Sequence, residues 1–178
     1  MLTIREAHHE DAKGIAKVQV DSWRTAYPGL VPDRILISMS ERRHQAEWAN
    51  ALDHPRSRHT ALVATMEVNA DSSGVLGFGS CGPARDGSLR HAGEIYTLYV
   101  LPQYQELGIG RALLNGLFDC LLERGMESAM VWVLADNPSR FFYETMGGRR
   151  VAERDESLWG TVLGEAAYGW PDLRTARA

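Results

Sequence analysis

The sequence predicts a mixed α+β fold in which an antiparallel N-terminal half joins a parallel pair of strands. Three observations carry that prediction. The strand-like runs "TALVATMEV" and "VLGFGSCG" flank the turn-rich "NADSSG" and read as a hairpin. Residues 94–100, "EIYTLYV", are rich in β-branched and aromatic side chains and read as a strong strand. A glycine loop, an amphipathic helix and the apolar run "AMVWVL" follow it. Strand, helix and strand in that order make a βαβ unit, whose strands run parallel with a right-handed crossover.

The elements follow in chain order. "LTIREA" opens as a strand with Leu2 and Ile4 on one face. A helix begins near Asp11, keeps the 3.6-residue period loosely through Ile15, Val18, Gln19 and Trp23, and is broken by Pro28 and Gly29. "SMSERRHQAEWA" reads as another helix, with Ser38 and Glu41 at capping-box spacing, and "DHPRSRH" as loop. Gly77, Gly79 and Gly82 in the second hairpin strand mark bulges or close backbone approach. "PARDGSLRHAG" is loop. In the helix behind the glycine loop, Leu113, Leu114, Leu117, Phe118, Leu121 and Leu122 form one stripe, and Gly125 fits its C-terminal cap. "AMVWVL" is apolar enough for a strand buried on both faces. "PSRFFYETM" is the last helix, stopped by Gly147 and Gly148, and "RRVAERD" and "EAAYGW" are final strands.

Length and charge bound the function. At 178 residues the chain fits one domain, 1–178, with a sizeable core. A net charge of −4 and the lack of a Lys/Arg stripe argue against nucleic-acid binding. No stretch reaches the roughly 20 apolar residues of a membrane span, and the charged N-terminus lacks a signal-peptide core. A cytoplasmic location is the expectation. Cys120 lies in an apolar helical pattern and reads as core, with no disulfide to Cys81. His8 and His9 read as surface, and no histidine sits at metal-ligand spacing. No metal is expected.

The stretch "LPQYQELGIGRALL" holds the chemistry. Gly108 and Gly110 can serve simply as a tight start to a helix. They can equally open the amides of residues 106–111 to an anion, because a helix N-terminus after a strand concentrates unpaired N–H groups. Two phosphate motifs fit poorly. GxxxxGK[ST] is absent, and a GxGxxG fingerprint fails at Leu113. What remains is Q-x-x-G-x-G, at Gln105, Gly108 and Gly110.

With "EIYTLYVLPQYQELGIGRALL" and then "NPSRFFYETMGG", the sequence resembles the GNAT N-acetyltransferase superfamily over most of its length. The first segment is similar to that family's acyl-CoA motif, the second to its N-x-x-x-x-F-Y-E-x-x-G segment. Two further stretches, "VDSWRTAYPGLVP" and "EAAYGWPDL", look like parts of some bacterial members. The resemblance implies a mixed, mostly antiparallel twisted sheet flanked by helices, whose two parallel strands splay apart. It implies acetyl-CoA in that splay as co-substrate, and direct attack by a primary amine in a ternary complex.

The same resemblance implies the site. The pyrophosphate would rest on the amides of Glu106, Leu107, Gly108, Ile109, Gly110 and Arg111, with Gln105 also binding the cofactor, and the pantetheine would run along Leu98, Tyr99 and Val100. Asn137 would hydrogen-bond the pantetheine arm, though Asn-Pro is also a plain turn signal. Tyr143 would sit near the sulfur as the acid, with Phe141 and Phe142 supplying core. Glu94 would be the base and would touch the acceptor; a water relay is the other route. Trp23, Tyr27 and the loop to Val31 would line the acceptor pocket, or else pack as core. The acceptor is a small-molecule or peptide amine, and the net acidity favours a cationic one. No membrane or nucleic-acid partner is implied; the oligomeric state is open between monomer and homodimer, dimers being common among similar proteins. An acyl-CoA-binding sensor without turnover is the alternative, and the presence of Gly108, Gly110, Asn137 and Tyr143 together favours the enzyme.

Overall fold

The structure is a computed structural model and describes residues 1–56, 58–69, 72–87 and 89–176. Its strands are β1 (Leu2–Glu6), β2 (Thr60–Asn69), β3 (Ser72–Pro83), β4 (Gly93–Val100), β5 (Ala129–Leu134), β6 (Arg149–Leu158) and β7 (Thr161–Trp170). Its helices are α1 (Ala12–Ala26), α2 (Asp33–Ser38) and α3 (Glu41–Asp53) between β1 and β2, α4 (Ile109–Glu123) between β4 and β5, and α5 (Ser139–Thr145) between β5 and β6. The strands form one sheet in the order β1-β2-β3-β4-β5-β7-β6. Every neighbouring pair in it is antiparallel except β4 and β5. The expected hairpin is β2–β3 and the expected parallel pair is β4–β5. Residues 70 and 71 of the expected turn lie outside the described residues.

The expected leucine stripe makes the main core. Leu113, Leu114, Leu117, Phe118 and Leu121 of α4 are wholly buried against Leu62, Ile95, Val131 and Tyr168 of the sheet. The opposite sheet face carries Phe78, Val63 and Leu101 against Ile15 and Val18 of α1. From α3, Trp48 packs its ring edge-on to Phe78 at 5.2 Å, and its indole N–H donates to Gln19 at 2.8 Å.

Three expectations are corrected. Ser38 does not cap α3; it ends α2, a helix the pattern did not announce because it is only one and a half turns long. Ser40 is the cap, its hydroxyl accepting from the Arg43 N–H at 3.3 Å. Cys81, not Cys120, is the fully buried cysteine, because β3 passes directly under α4 while Cys120 lies at the margin of the stripe. The last two strands are longer than read and form a hairpin closed by Trp159 and Gly160, at φ 52° and 75°. A tryptophan in left-handed backbone is a poor turn signal, so "LWGT" did not read as one.

The site depends on how β4 and β5 pair. Their register runs through Gly93–Ala129, Glu94–Met130 and Ile95–Val131 and stops there. At that point β4 bulges: Ile95 faces Cys81 and Thr97 faces Ser80, leaving Tyr96 extra. Beyond it β4 follows β3, and β5 follows β7 as far as Leu134. A wedge opens between the two parallel strands, which is the splay the resemblance implied.

Close approach explains one of the β3 glycines. A Cβ on Gly77 would lie 2.9 Å from the Tyr99 carbonyl oxygen and 3.2 Å from Leu113. Backbone cannot yield as a side-chain end can, so we expect Gly77→Ala to cost about 1–3 kcal/mol, as overpacking does. Urea unfolding of the pair of proteins measures this, and equal midpoints would contradict it.

Candidate active site

Three segments border the wedge. The first is the free edge of β4. The Leu101 N–H donates to the Leu76 carbonyl on β3 at 2.8 Å. Alternation then turns the N–H and C=O groups of Leu98 and Val100 into the wedge. The Val100 carbonyl already accepts from the Gln105 amide at 3.3 Å, while the other edge groups face a space with no strand.

The second is the glycine loop. Glu106 and Gly108 both have left-handed backbone, φ 64° and 80°. Such residues in a turn aim successive amides at one point, a concave anion nest. The first bond of α4 runs from the Ala112 N–H to the Gly108 carbonyl at 3.0 Å, so the amides of Ile109, Gly110 and Arg111 stand ahead of the helical ladder. Gln105, Glu106, Leu107, Gly108 and Arg111 are exposed.

The third is α5. Here the expected division of roles is reversed: Phe141 is 55% exposed, Phe142 is half-buried, and Tyr143 is 5% exposed within the main core. The helix is under two turns long and meets the sheet with the face that carries Tyr143, whose ring stacks edge-on to Phe142 and Trp170 at 5.2 and 6.1 Å. Phe142 instead turns to the glycine loop, 3.4 Å from where a Gly110 Cβ would be. Just before α5, the Asn137 side-chain oxygen accepts from the Ser139 N–H at 3.0 Å, the turn role its Asn-Pro pattern allowed.

Across the wedge, on the α1 side, the phenols of Tyr27, Tyr99 and Tyr143 are close enough to influence one another. Burial pushes the Tyr143 hydroxyl well above the ordinary phenol range, and Tyr99 adds to it. Burial does the same to Tyr27, reinforced by Tyr99 and opposed by the Asn137 amide. All remain protonated near neutral pH. Trp23 stacks edge-on to Tyr27 at 4.8 Å, and to Trp159 at 6.0 Å. Trp159 reaches it from the β6–β7 turn, where the Arg34 guanidinium holds its carbonyl. Tyr27, Val31, Leu36 and Met39 make a small core under this aromatic wall, so pocket and core readings meet at one place. Beside it lies a shallow depression lined by Gly29, Leu30, Val31, Pro32, Asp33 and Thr161.

Glu94 sits at the root of the wedge and is 1% exposed. Arg85, on the β3–β4 connection, occupies both its oxygens. The Arg85 backbone N–H donates to Oε1 at 3.0 Å, and the guanidinium donates to Oε2 at 3.1 and 2.5 Å. The sequence reading missed Arg85 and Trp159. No periodicity marks either, since each sits in a connection between strands, Arg85 in the loop just ahead of Glu94 and Trp159 far along the chain from Trp23.

Residues 19–147, most of the chain, match the model of the acetyltransferase (GNAT) family. The chain belongs to the GNAT family. It is 41% identical to the uncharacterised N-acetyltransferase YuaI of Bacillus subtilis, over 97% of this chain and 95% of that one. The PaiA N-acetyltransferase of Thermoplasma acidophilum, solved with coenzyme A, has the same fold at 21% identity, a TM-score of 0.67 and coverage of 93% and 98%. YncA of Salmonella typhimurium, solved with acetyl-CoA, does so at 20% identity, a TM-score of 0.66 and coverage of 97% and 94%. The chain is thus a GNAT N-acetyltransferase. Among its described residues no helix is long and apolar enough to cross a membrane, and no three His, Cys, Asp or Glu come together as a metal site would require.

The buried phenols of this GNAT enzyme set its behaviour in alkali. A phenol raised in the folded state favours folding fully below its unfolded value near 10, and loses that contribution as the pH rises toward the folded value. Tyr96 is pushed up to about 12, mainly by burial, and Tyr27, Tyr99 and Tyr143 are also raised. We expect unfolding midpoints that hold up to about pH 10 and fall steadily above it. Phenolate absorbance at matched pH checks the cause: if all six tyrosines ionise without loss of structure, burial is not holding them.

Proposed function

We propose that residues 1–178 act as one N-acetyltransferase unit, moving the acetyl group of acetyl-CoA to a primary amine by direct attack in a ternary complex. The wedge beside the nest-like loop carries this reading. An unpaired strand edge offers amide partners to the pantetheine arm, as it would to another strand. A helix N-terminus with left-handed residues offers amides to a pyrophosphate. PaiA and YncA, which share the fold, hold coenzyme A and acetyl-CoA respectively. Two free cysteines suit a reducing compartment, and we place the reaction in the cytoplasm.

The roles follow from where charge moves. An amine with a pKa near 10.4 arrives protonated and must lose a proton before it attacks. Glu94 takes that proton. The nitrogen lone pair then bonds to the thioester carbonyl carbon, and negative charge grows on its oxygen. A wedge-facing amide of Leu98 or Val100 donates to it. As the carbonyl re-forms, the C–S bond breaks and its electron pair leaves on sulfur. Tyr143, held protonated by burial, donates to that sulfur. The same apolar surroundings would raise the thiol of coenzyme A, which keeps donor and acceptor matched. Asn137 steadies the pantetheine arm with its amide, and Trp23 and Tyr27, with Trp159, flank the acceptor.

Tyr143→Phe keeps the ring and removes the proton. We expect kcat to fall by about 10²- to 10⁴-fold, with acetyl-CoA affinity unchanged. Thiol release with a panel of amines and calorimetric titration of acetyl-CoA measure the two. Wild-type protein that binds no acetyl-CoA would end the reading. Protein that binds it but releases no thiol with any amine would be a binding module.

Gly108→Ala tests the nest. Its Cβ would meet open space, so only the left-handed backbone, φ 80°, is disturbed. We expect a loss of stability of about 1 kcal/mol and a several-fold weaker acetyl-CoA affinity. Unchanged affinity in the same titration would remove the loop from the phosphate site.

A further inference from the structure

The proposed base is not open to an amine. Glu94 is 1% exposed, and Arg85 covers both of its oxygens. Arg85 itself is held mainly by Glu94. Its side chain is 64% exposed, and besides Glu94 the guanidinium lies over the Tyr96 ring, 4.7 Å from its centre. Such an arm can swing out into solvent when another cation takes its place on the buried carboxylate.

A second carboxylate waits on the far side of the wedge. Glu165 of β7 lies within electrostatic reach of Arg85. Arg154 bonds Glu165 at 3.3 Å and Glu156 at 3.4 Å while lying 3.9 Å from the centre of the Trp132 ring. Across this face of the sheet, Glu94, Glu165 and Glu156 therefore share the guanidiniums of Arg85 and Arg154. Arg85 with Glu94, and Arg154 with Glu165 and Glu156, are direct pairs; Arg85 and Glu165 act on each other only through space, and Arg56 adds a further cation beside Tyr96.

We propose that Arg85 is a specificity-determining residue: in the free enzyme it occupies the place on Glu94 that the acceptor's ammonium takes, and it moves toward Glu165 when the acceptor binds. The proposal rests on Glu94 being the base. It names a substrate class as well. An ammonium can replace the Arg85 guanidinium on Glu94, whereas an acceptor carrying a carboxylate beside its amine sets a like charge against Glu94. The favoured acceptor is a net-cationic primary amine with no carboxylate at its amino carbon.

The test compares cadaverine with lysine, which share a skeleton and differ by one carboxylate, using wild type, Arg85→Met, Arg85→Lys and Glu94→Gln at saturating acetyl-CoA. Methionine keeps apolar contact with Tyr96 and removes the competing charge. We expect the wild type to prefer cadaverine, and Arg85→Met to lower the cadaverine KM about fivefold, more than it alters kcat. Arg85→Lys, charged but unable to make the two-pronged contact, gives an intermediate KM. Calorimetric acetyl-CoA affinity equal to wild type certifies the fold of each variant, and if Arg85→Met fails that check the Arg85→Lys value decides. A cadaverine KM that is unchanged or higher, a preference for lysine, or no turnover of cadaverine overturns the proposal. Glu94→Gln separates the two levels. If it turns over like wild type, Glu94 is not the base and the underlying reading fails. If it is inactive while the Arg85 variants leave KM alone, the base stands and Arg85 does not compete for it.

Discussion

Everything at this site follows from a pairing that stops. β4 and β5 share three residue pairs, ending at Ile95 and Val131, and then each strand stays with its other neighbour. The extra residue at Tyr96 gives β4 the local bend and twist a bulge introduces. A parallel pair would normally continue for the length of its strands, because unpaired backbone inside a sheet is costly. Here the cost is borne by an edge that faces a gap. That gap gives a ligand with amides of its own something to replace.

The two faces of the sheet divide the labour. On the α4 side the leucine stripe, Phe118 and Trp170 make a dry core that holds the strands at fixed positions. On the α1 side the same strands present Glu94, Tyr99, Trp132 and Glu165, which are polar, charged or amphipathic. Rigidity behind and chemistry in front come from alternation along β5 and β7 and, on β4, from alternation that the bulge at Tyr96 shifts by one, so that Glu94 and Tyr99 share a face. Tyr143 crosses this division. It belongs to the core by burial, yet its hydroxyl lies near that of Tyr99, so a core residue can bring a proton to the wedge.

Much of this was legible in the sequence because it is local. The βαβ unit, the α4 stripe, the glycine loop and the α5 segment each lie within a short window, and period, turn chemistry and motif all agree there. Legibility failed where a residue reaches its partner from a patternless connection or from across the chain. Arg85 meets Glu94 through a connection with no pattern. Trp159 meets Trp23 only because a hairpin of ten-residue strands carries it back to α1. The order of burial in "FFY" could not be read either, since a helix under two turns long has no period to measure. Ser38 was mistaken for Ser40 because both stand near Glu41, and only the course of α2 decides between them.

That contrast has a chemical meaning. The residues proposed to hold the donor lie between 94 and 143, in segments joined by short connections, and are positioned by the main core. Apart from Glu94, the residues proposed to meet the acceptor come from α1, the α1–α2 loop, the β3–β4 connection and the β6–β7 hairpin, and of these α1 and the hairpin meet through Trp23 and Trp159. Tips can change without disturbing the pairing of β4 and β5 or the stripe of α4. The donor site is therefore tied to the stability of the fold, while the acceptor site is tied to a few side-chain contacts. Among them the Glu94–Arg85 pair has the most influence, because a cation that arrives on Glu94 must take the place of the guanidinium.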